Sequence, residues 1–145
     1  MPPRAVKYLP EHLFALKPQK AQSFISDYLK ESPEYAHLID DMAYTLMVDD
    51  EVIFCGGLLH MHEGVGEVWT VIGENFKQYS LSITRHVITF LHNAEALGYR
   101  RLQTTVASGF PEAARWAGLL GFESEGLMRK YTPAGEDCFM YARIS

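Results

Sequence analysis

The segment from Glu51 to Phe122 limits what this chain can fold into more than any other. A strand ending in Cys55-Gly56-Gly57-Leu58-Leu59 is followed by Glu67-Val68-Trp69-Thr70-Val71. A polar stretch from Gly73 to Tyr79 comes next, then a long helical run, then Gly98-Tyr99-Arg100-Arg101-Leu102. The segment closes on Ala113-Ala114-Arg115-Trp116-Ala117-Gly118-Leu119-Leu120-Gly121-Phe122. From Ser80 to Leu97, the residues Leu81, Thr84, Val87, Ile88, Leu91 and Ala94 share one helical face. The run is rich in β-branched residues, but its length and the stop at Gly98 decide for helix. Strand, loop, helix, strand, helix is therefore the order the segment imposes.

The flanks complete the sheet. Ala5 to Tyr8 alternates as a strand, a short helix covers Glu11 to Leu16, and Gln19 to Leu29 repeats apolar residues at helical spacing. Ser32 as cap with Pro33 at the first position predicts a brief helix ending near Asp40. Ala43 to Val48 and Val52 to His60 flank Asp49-Asp50 as an antiparallel hairpin, and Gly56-Gly57 predicts a bulge or a close backbone approach. His62 to Gly66 is a second turn, Leu102 to Val106 a strand, and Pro111 opens a helix that stops at Gly121. Phe122 to Met128 and Cys138 to Ile144 are joined by the turn Thr132-Pro133-Ala134-Gly135-Glu136. The expectation is an α+β (mixed α/β) fold with a mostly antiparallel twisted sheet of about six to seven strands and helices on both faces.

Length and composition narrow the function classes. The 145 residues form one expected domain, 1–145, with no repeat, linker or low-complexity segment. A net charge of −5 without a basic run argues against non-specific nucleic-acid binding. No apolar run approaches the roughly 18 to 20 residues of a membrane span, and the N-terminus has no signal pattern. Cys55 and Cys138 make neither a disulfide framework nor a metal spacing and read as buried thiols of a reducing compartment. His60-Met61-His62 lacks a third ligand, so no metal is expected.

The chemistry concentrates after Val71. A strand, a loop and a helix start can serve as an anion site, because first-turn amides are free and the helix dipole adds positive charge, although most such junctions bind nothing. Lys77 supplies a cation there, and Ser80 and Ser82 offer hydroxyls, with the helix expected to begin near Ser80 to Ser82.

With these residues in order, the chain resembles the GCN5-related N-acetyltransferase (GNAT) superfamily from residue 5 to 144. In that family the strand matching Glu67 to Val71 pairs with the pantetheine arm of acetyl-CoA. The following Arg/Gln-x-x-Gly-x-Gly/Ala loop wraps the pyrophosphate. The resemblance implies cofactor contacts at Val71, Ile72, Lys77, Gln78, Tyr79, Ser80, Leu81 and Ser82, with serine at both small positions. Phe110 stands at the family's Asn, and Ala117 at the Tyr that commonly protonates the leaving thiolate.

The family reaction is direct attack of an amine on the thioester, which calls for a base and for carbonyl-polarising amides. Glu67 is the first candidate base and His60 and His62 the next, histidine titrating near the operating pH. By position alone, Glu67 is a strand-end carboxylate and the histidines surface or packing residues. Trp69 and Trp116 read as core or as pocket lining, and Arg100-Arg101 and Arg129-Lys130 as surface charge.

The block from Arg115 to Arg143 is similar to small GNAT-like proteins of tailed bacteriophages. That likeness implies a phage-encoded protein in a bacterial cytoplasm, or packaged in a virion. The function implied is acetyl transfer from acetyl-CoA to a primary amine of a protein or small molecule, without a metal. The alternative is an inactive GNAT-fold protein that binds a virion or host component. An edge strand of the final hairpin or of Leu58-Leu59 would serve a homodimer.

Overall fold

Asp49 and Asp50 turn the chain between two strands, β2 (Ala43–Val48) and β3 (Glu51–His62), as the hairpin pattern predicts. The structure, a computed structural model, describes residues 2–16 and 42–145. Ahead of the hairpin stand β1 (Arg4–Lys7) and α1 (Pro10–Ala15). After it come β4 (Val65–Ile72), α2 (Phe76–Ala96), β5 (Arg101–Ala107), α3 (Pro111–Leu119), β6 (Glu123–Met128) and β7 (Cys138–Ile144). The helices expected over 19–29 and 33–40 lie outside the described residues.

The seven strands form one sheet in the order β1-β2-β3-β4-β5-β7-β6. β1–β2, β2–β3, β5–β7 and β6–β7 pair antiparallel. β4 and β5, joined through α2, pair parallel over Val65↔Arg101, Gly66↔Leu102 and Glu67↔Gln103. A parallel neighbour needs a crossover of a dozen or more residues, and α2 provides it. This is the expected mostly antiparallel α+β sheet. No helix among the described residues is long and apolar enough to cross a membrane.

The chain divides into two compact units, Met1–Leu59 with Val68–Val87, and His60–Glu67 with Ile88–Ser145. In the first, Tyr8, Leu13, Leu16, Val52, Cys55 and Val71 form a buried cluster, with Ala43, Met47 and Trp69 packed against it. Tyr8 and Trp69 meet edge-on with centroids 5.4 Å apart, an arrangement that contributes about 0.5–1.5 kcal/mol beyond area burial. Trp69 thus sides with the core. The bulge expected at Gly56-Gly57 lies elsewhere: Leu46 pairs with Phe54 and Met47 with Val52, leaving Ile53 as the extra residue. The glycines serve close approach instead, since a Cβ on Gly57 would fall 2.8 Å from the Ala43 Cα.

In the second unit, β5 and β7 pair along their whole length, from Arg101↔Ile144 to Ala107↔Cys138. Arg143 reaches from β7 to Glu95 at 2.8 Å and donates to the Leu120 carbonyl, tying the ends of α2 and α3 to the sheet. The β6–β7 turn is closed by Tyr131 N–H to Glu136 O at 2.8 Å and Glu136 N–H to Thr132 Oγ1 at 2.9 Å.

The buried stripe of α2 is Ile83, Val87, Leu91 and Ala94. Leu81, expected on the buried face, is 65% exposed. The residues four apart from Ile83 define the stripe, and Leu81 falls outside it. Both cysteines are buried free thiols. Burial pushes the Cys55 thiol up to about 12, against the hydrogen bond with Thr45, and raises that of Cys138 as well. Neither is a thiolate nucleophile near neutral pH.

Candidate active site

The junction of β4 and α2 lies in the first unit and begins from a buried pair, Val71 and Ile72. Gly73 N–H donates to Ile53 O at 3.1 Å, and a Cβ at Gly73 would stand 2.8 Å from that same oxygen. Only glycine permits so close a return to β3. The chain then turns through Glu74 and Asn75, with Asn75 Nδ2 donating to Glu51 Oε1 at 3.0 Å. Phe76 N–H bonds to Gly73 O and Gln78 N–H to Asn75 O, both at 3.1 Å, so helical bonding starts here.

The helix therefore begins at Phe76, a full turn before the expected start near Ser80 to Ser82. This changes what the sequence motif can offer. The amides of Ser80, Leu81 and Ser82 belong to the helical ladder, and Ser80 Oγ leans back to Lys77 O at 3.5 Å. The end of the helix that carries the dipole's positive charge is the Phe76–Tyr79 turn. It contains no acid, and Lys77 and Gln78 are exposed on it. Tyr79, Ser80 and Ser82 are half-buried, and Leu81 is exposed.

The candidate bases all lie in the second unit, and the structure does not group them. Glu67 stands on β4 directly opposite Gln103 on β5, and Gln103 Nε2 donates to Glu67 Oε1 at 3.2 Å. Gln103 Oε1 accepts from Arg101 Nε at 2.9 Å. Arg101 in turn grips Glu125 of β6 with both terminal nitrogens, at 3.0 and 2.7 Å. That pair holds the Glu125 carboxyl below its ordinary range and raises the Arg101 guanidinium. His60 turns instead to Tyr99, with Nδ1 2.8 Å from the phenol oxygen, and His62 is exposed. Among the described residues no group of three or more His, Cys, Asp or Glu could hold a metal.

Three further residues bear on proton supply. Ala117, at the position of the family's tyrosine, is 5% exposed on α3. Phe110, at the position of the family's asparagine, precedes Pro111 and makes no side-chain cap for that helix. The phenol of Tyr131 is kept protonated by partial burial first, then by the charges of Glu67 and Cys138.

The sequence does not reveal the Glu67–Gln103–Arg101–Glu125 chain. Arg101 reads there as surface charge, and its one visible signal is the i, i+2 spacing of Arg101 and Gln103, which sets both on one face of β5.

No protein-family model matches the sequence, and no curated protein does. Solved structures match over nearly all of it. Ard1 from Thermoplasma volcanium is similar at 14% identity, with a TM-score of 0.73 over 99% of this chain and 98% of that one. A GNAT superfamily phosphinothricin acetyltransferase from Sinorhizobium meliloti, in complex with AcCoA, is similar at 12% identity and a TM-score of 0.72, over 99% of this chain and 89% of that one. A GNAT family acetyltransferase from Elizabethkingia anophelis, with acetyl-CoA bound, is similar at 12% identity and 0.66, over 80% and 82%. A TM-score of 0.73 over nearly the whole of both chains shows that the chain has the GNAT fold.

Proposed function

We propose that this protein transfers the acetyl group of acetyl-CoA to a primary amine. The observation that carries the reading is the near-complete correspondence of fold with acetyltransferases, two of which hold acetyl-CoA. The residues of the chain fit that substrate. The acid-free first turn of α2, with Lys77, Gln78 and Tyr79 on it, suits a diphosphate, and Ser80 and Ser82 lie in the turn that follows. Val71 and Ile72 at the end of β4 and Leu81 on α2 complete the proposed contacts.

In the proposed reaction Glu67 accepts a proton from the acceptor's ammonium, and the freed nitrogen lone pair attacks the thioester carbonyl carbon. A carbon–nitrogen bond forms, the carbon–sulfur bond breaks, the sulfur leaves as CoA thiolate, and the attacking nitrogen gives up its second proton to solvent. With alanine at position 117, solvent supplies the thiolate's proton, which is tolerable for a thiol of pKa about 8.5. His60, held to Tyr99, and exposed His62 are the next candidates for the base.

The C-terminal block supports a narrower proposal. A phage-encoded enzyme would act on amines in a bacterial cytoplasm, and a virion component is the role to pursue if no acetyl-CoA is bound.

Titration calorimetry with acetyl-CoA tests the reading directly. Wild type is expected to bind in the micromolar range, and Lys77→Ala to weaken binding about 10- to 100-fold, the loss of one charge-assisted contact. Glu67→Gln is expected to bind normally and to lower kcat about 10²- to 10⁴-fold. An absence of binding at millimolar acetyl-CoA would overturn the proposal.

A further inference from the structure

Arginine only donates hydrogen bonds and a carboxylate only accepts them, so a glutamine set between the two has one amide orientation that satisfies both. Gln103 is in that position. Its Oε1 faces Arg101 Nε at 2.9 Å and its Nε2 faces Glu67 Oε1 at 3.2 Å. A flipped amide would set donor against donor on one side and acceptor against acceptor on the other. Arg101 cannot swing away to relieve this, because its two terminal nitrogens hold Glu125 as a bidentate pair at 3.0 and 2.7 Å. The hydrogen-bond chain thus crosses β6, β5 and β4 and ends on Glu67.

We propose that Gln103 is a positioning residue for Glu67, with Arg101 and Glu125 locking the amide that holds it. This rests on the reading of Glu67 as the base. The Gln103 bond takes Oε1, so Oε2 is the oxygen that receives the acceptor's proton. Once Oε2 is protonated, Oε1 is a carbonyl oxygen and still accepts from Gln103. The base can therefore load and unload its proton without breaking its own support. The support is also electrically guarded. Glu125 absorbs the arginine's charge, so Glu67 meets a neutral amide instead of a guanidinium that would hold its carboxylate tightly ionised and blunt it as a base.

The test combines kcat, acetyl-CoA affinity by calorimetry and the heat-unfolding midpoint for wild type, Glu67→Gln, Gln103→Met, Gln103→Glu and Arg101→Met. Gln103→Met keeps the shape and removes the donor; it is expected to lower kcat about 10-fold or more, with affinity for acetyl-CoA within about twofold of wild type. Gln103→Glu retains a partner for Arg101 but turns an acceptor on Glu67, and is expected to lose at least as much. Arg101→Met, which frees the amide to flip, should fall between wild type and Gln103→Met.

If Gln103→Met turns over like wild type while Glu67→Gln is inactive, the positioning role is overturned and the base survives. If Glu67→Gln keeps wild-type turnover, the base reading falls and this inference falls with it. A wild type without any acetyl transfer overturns both together. Should Gln103→Met fail to fold, Arg101→Met decides, and an unchanged kcat there overturns the lock.

Discussion

Ala117 is small and buried on α3, where members of the resembling family place a phenol. At 5% exposure its methyl group has little open space beside it, so restoring the tyrosine is not a neutral change. Ala117→Tyr is expected to destabilise the fold by about 1–3 kcal/mol by overpacking, without raising kcat. Urea unfolding with a parallel turnover assay checks both halves, and a faster, equally stable variant would show room for a proton donor at this site. At this scale the sequence is only half legible. Glu67 stands out as a candidate because its place near the beginning of β4 is local information. Gln103 is not, because its partnership with Glu67 depends on the register of two strands 36 residues apart. Arg101 next to Arg100 looks like surface charge until Glu125 of β6 comes into reach.

Elements are read more reliably than their ends. The β2–β3 hairpin, the final hairpin and α3 all stand within a residue or two of where turn residues and periodicity put them, since those signals are short-range. The start of α2 is the exception. Gly73, Asn75 and two serines mark the stretch as polar loop, and Ser80 resembles a cap. Yet the hydrogen bond from Gly73 to Ile53 and the turn at Asn75 close the first helical bonds at Phe76 and Gln78. The bonds of Gly73 to Ile53 and of Asn75 to Glu51 both reach β3, outside the stretch itself. Ser80→Pro separates the two placements. In a helix starting at Phe76, residue 80 is interior, and proline there is expected to cost about 3 kcal/mol. Had the helix started at Ser80, proline would sit at its first turn and be tolerated. Denaturant midpoints, with far-ultraviolet dichroism as a check on helix content, distinguish these outcomes.

For the whole molecule, the buried ionisable groups set how stability responds to alkali. Cys55, fully buried, is pushed up to about 12 by burial, and the Tyr44 phenol is raised by the same cause. A raised folded-state value means that the neutral form is favoured in the fold. The stability this represents is complete below the unfolded thiol's range, near 8.5, and is lost as pH climbs toward 12. Each such group steepens the fall by about 1.4 kcal/mol per pH unit in its window. Between pH 9 and 10, before an unfolded tyrosine titrates, Cys55 acts together with Cys138, whose thiol is raised as well. Cys55→Ala is expected to lower stability at pH 7 and to flatten the decline over that window, read from urea midpoints. An unchanged slope would mean that the thiol is not shielded as its burial implies.

The parallel pairing of β4 with β5 also has a consequence in time. Val65–Glu67 can meet Arg101–Gln103 only after α2 has been laid down and folded back. Contacts that close long loops are entropically late. The bond between Glu67 and Gln103 is made across that late seam. A nascent or partly refolded chain would therefore display its hairpins and helices while the proposed base still lacks its support. Regain of activity on refolding should then trail regain of secondary structure.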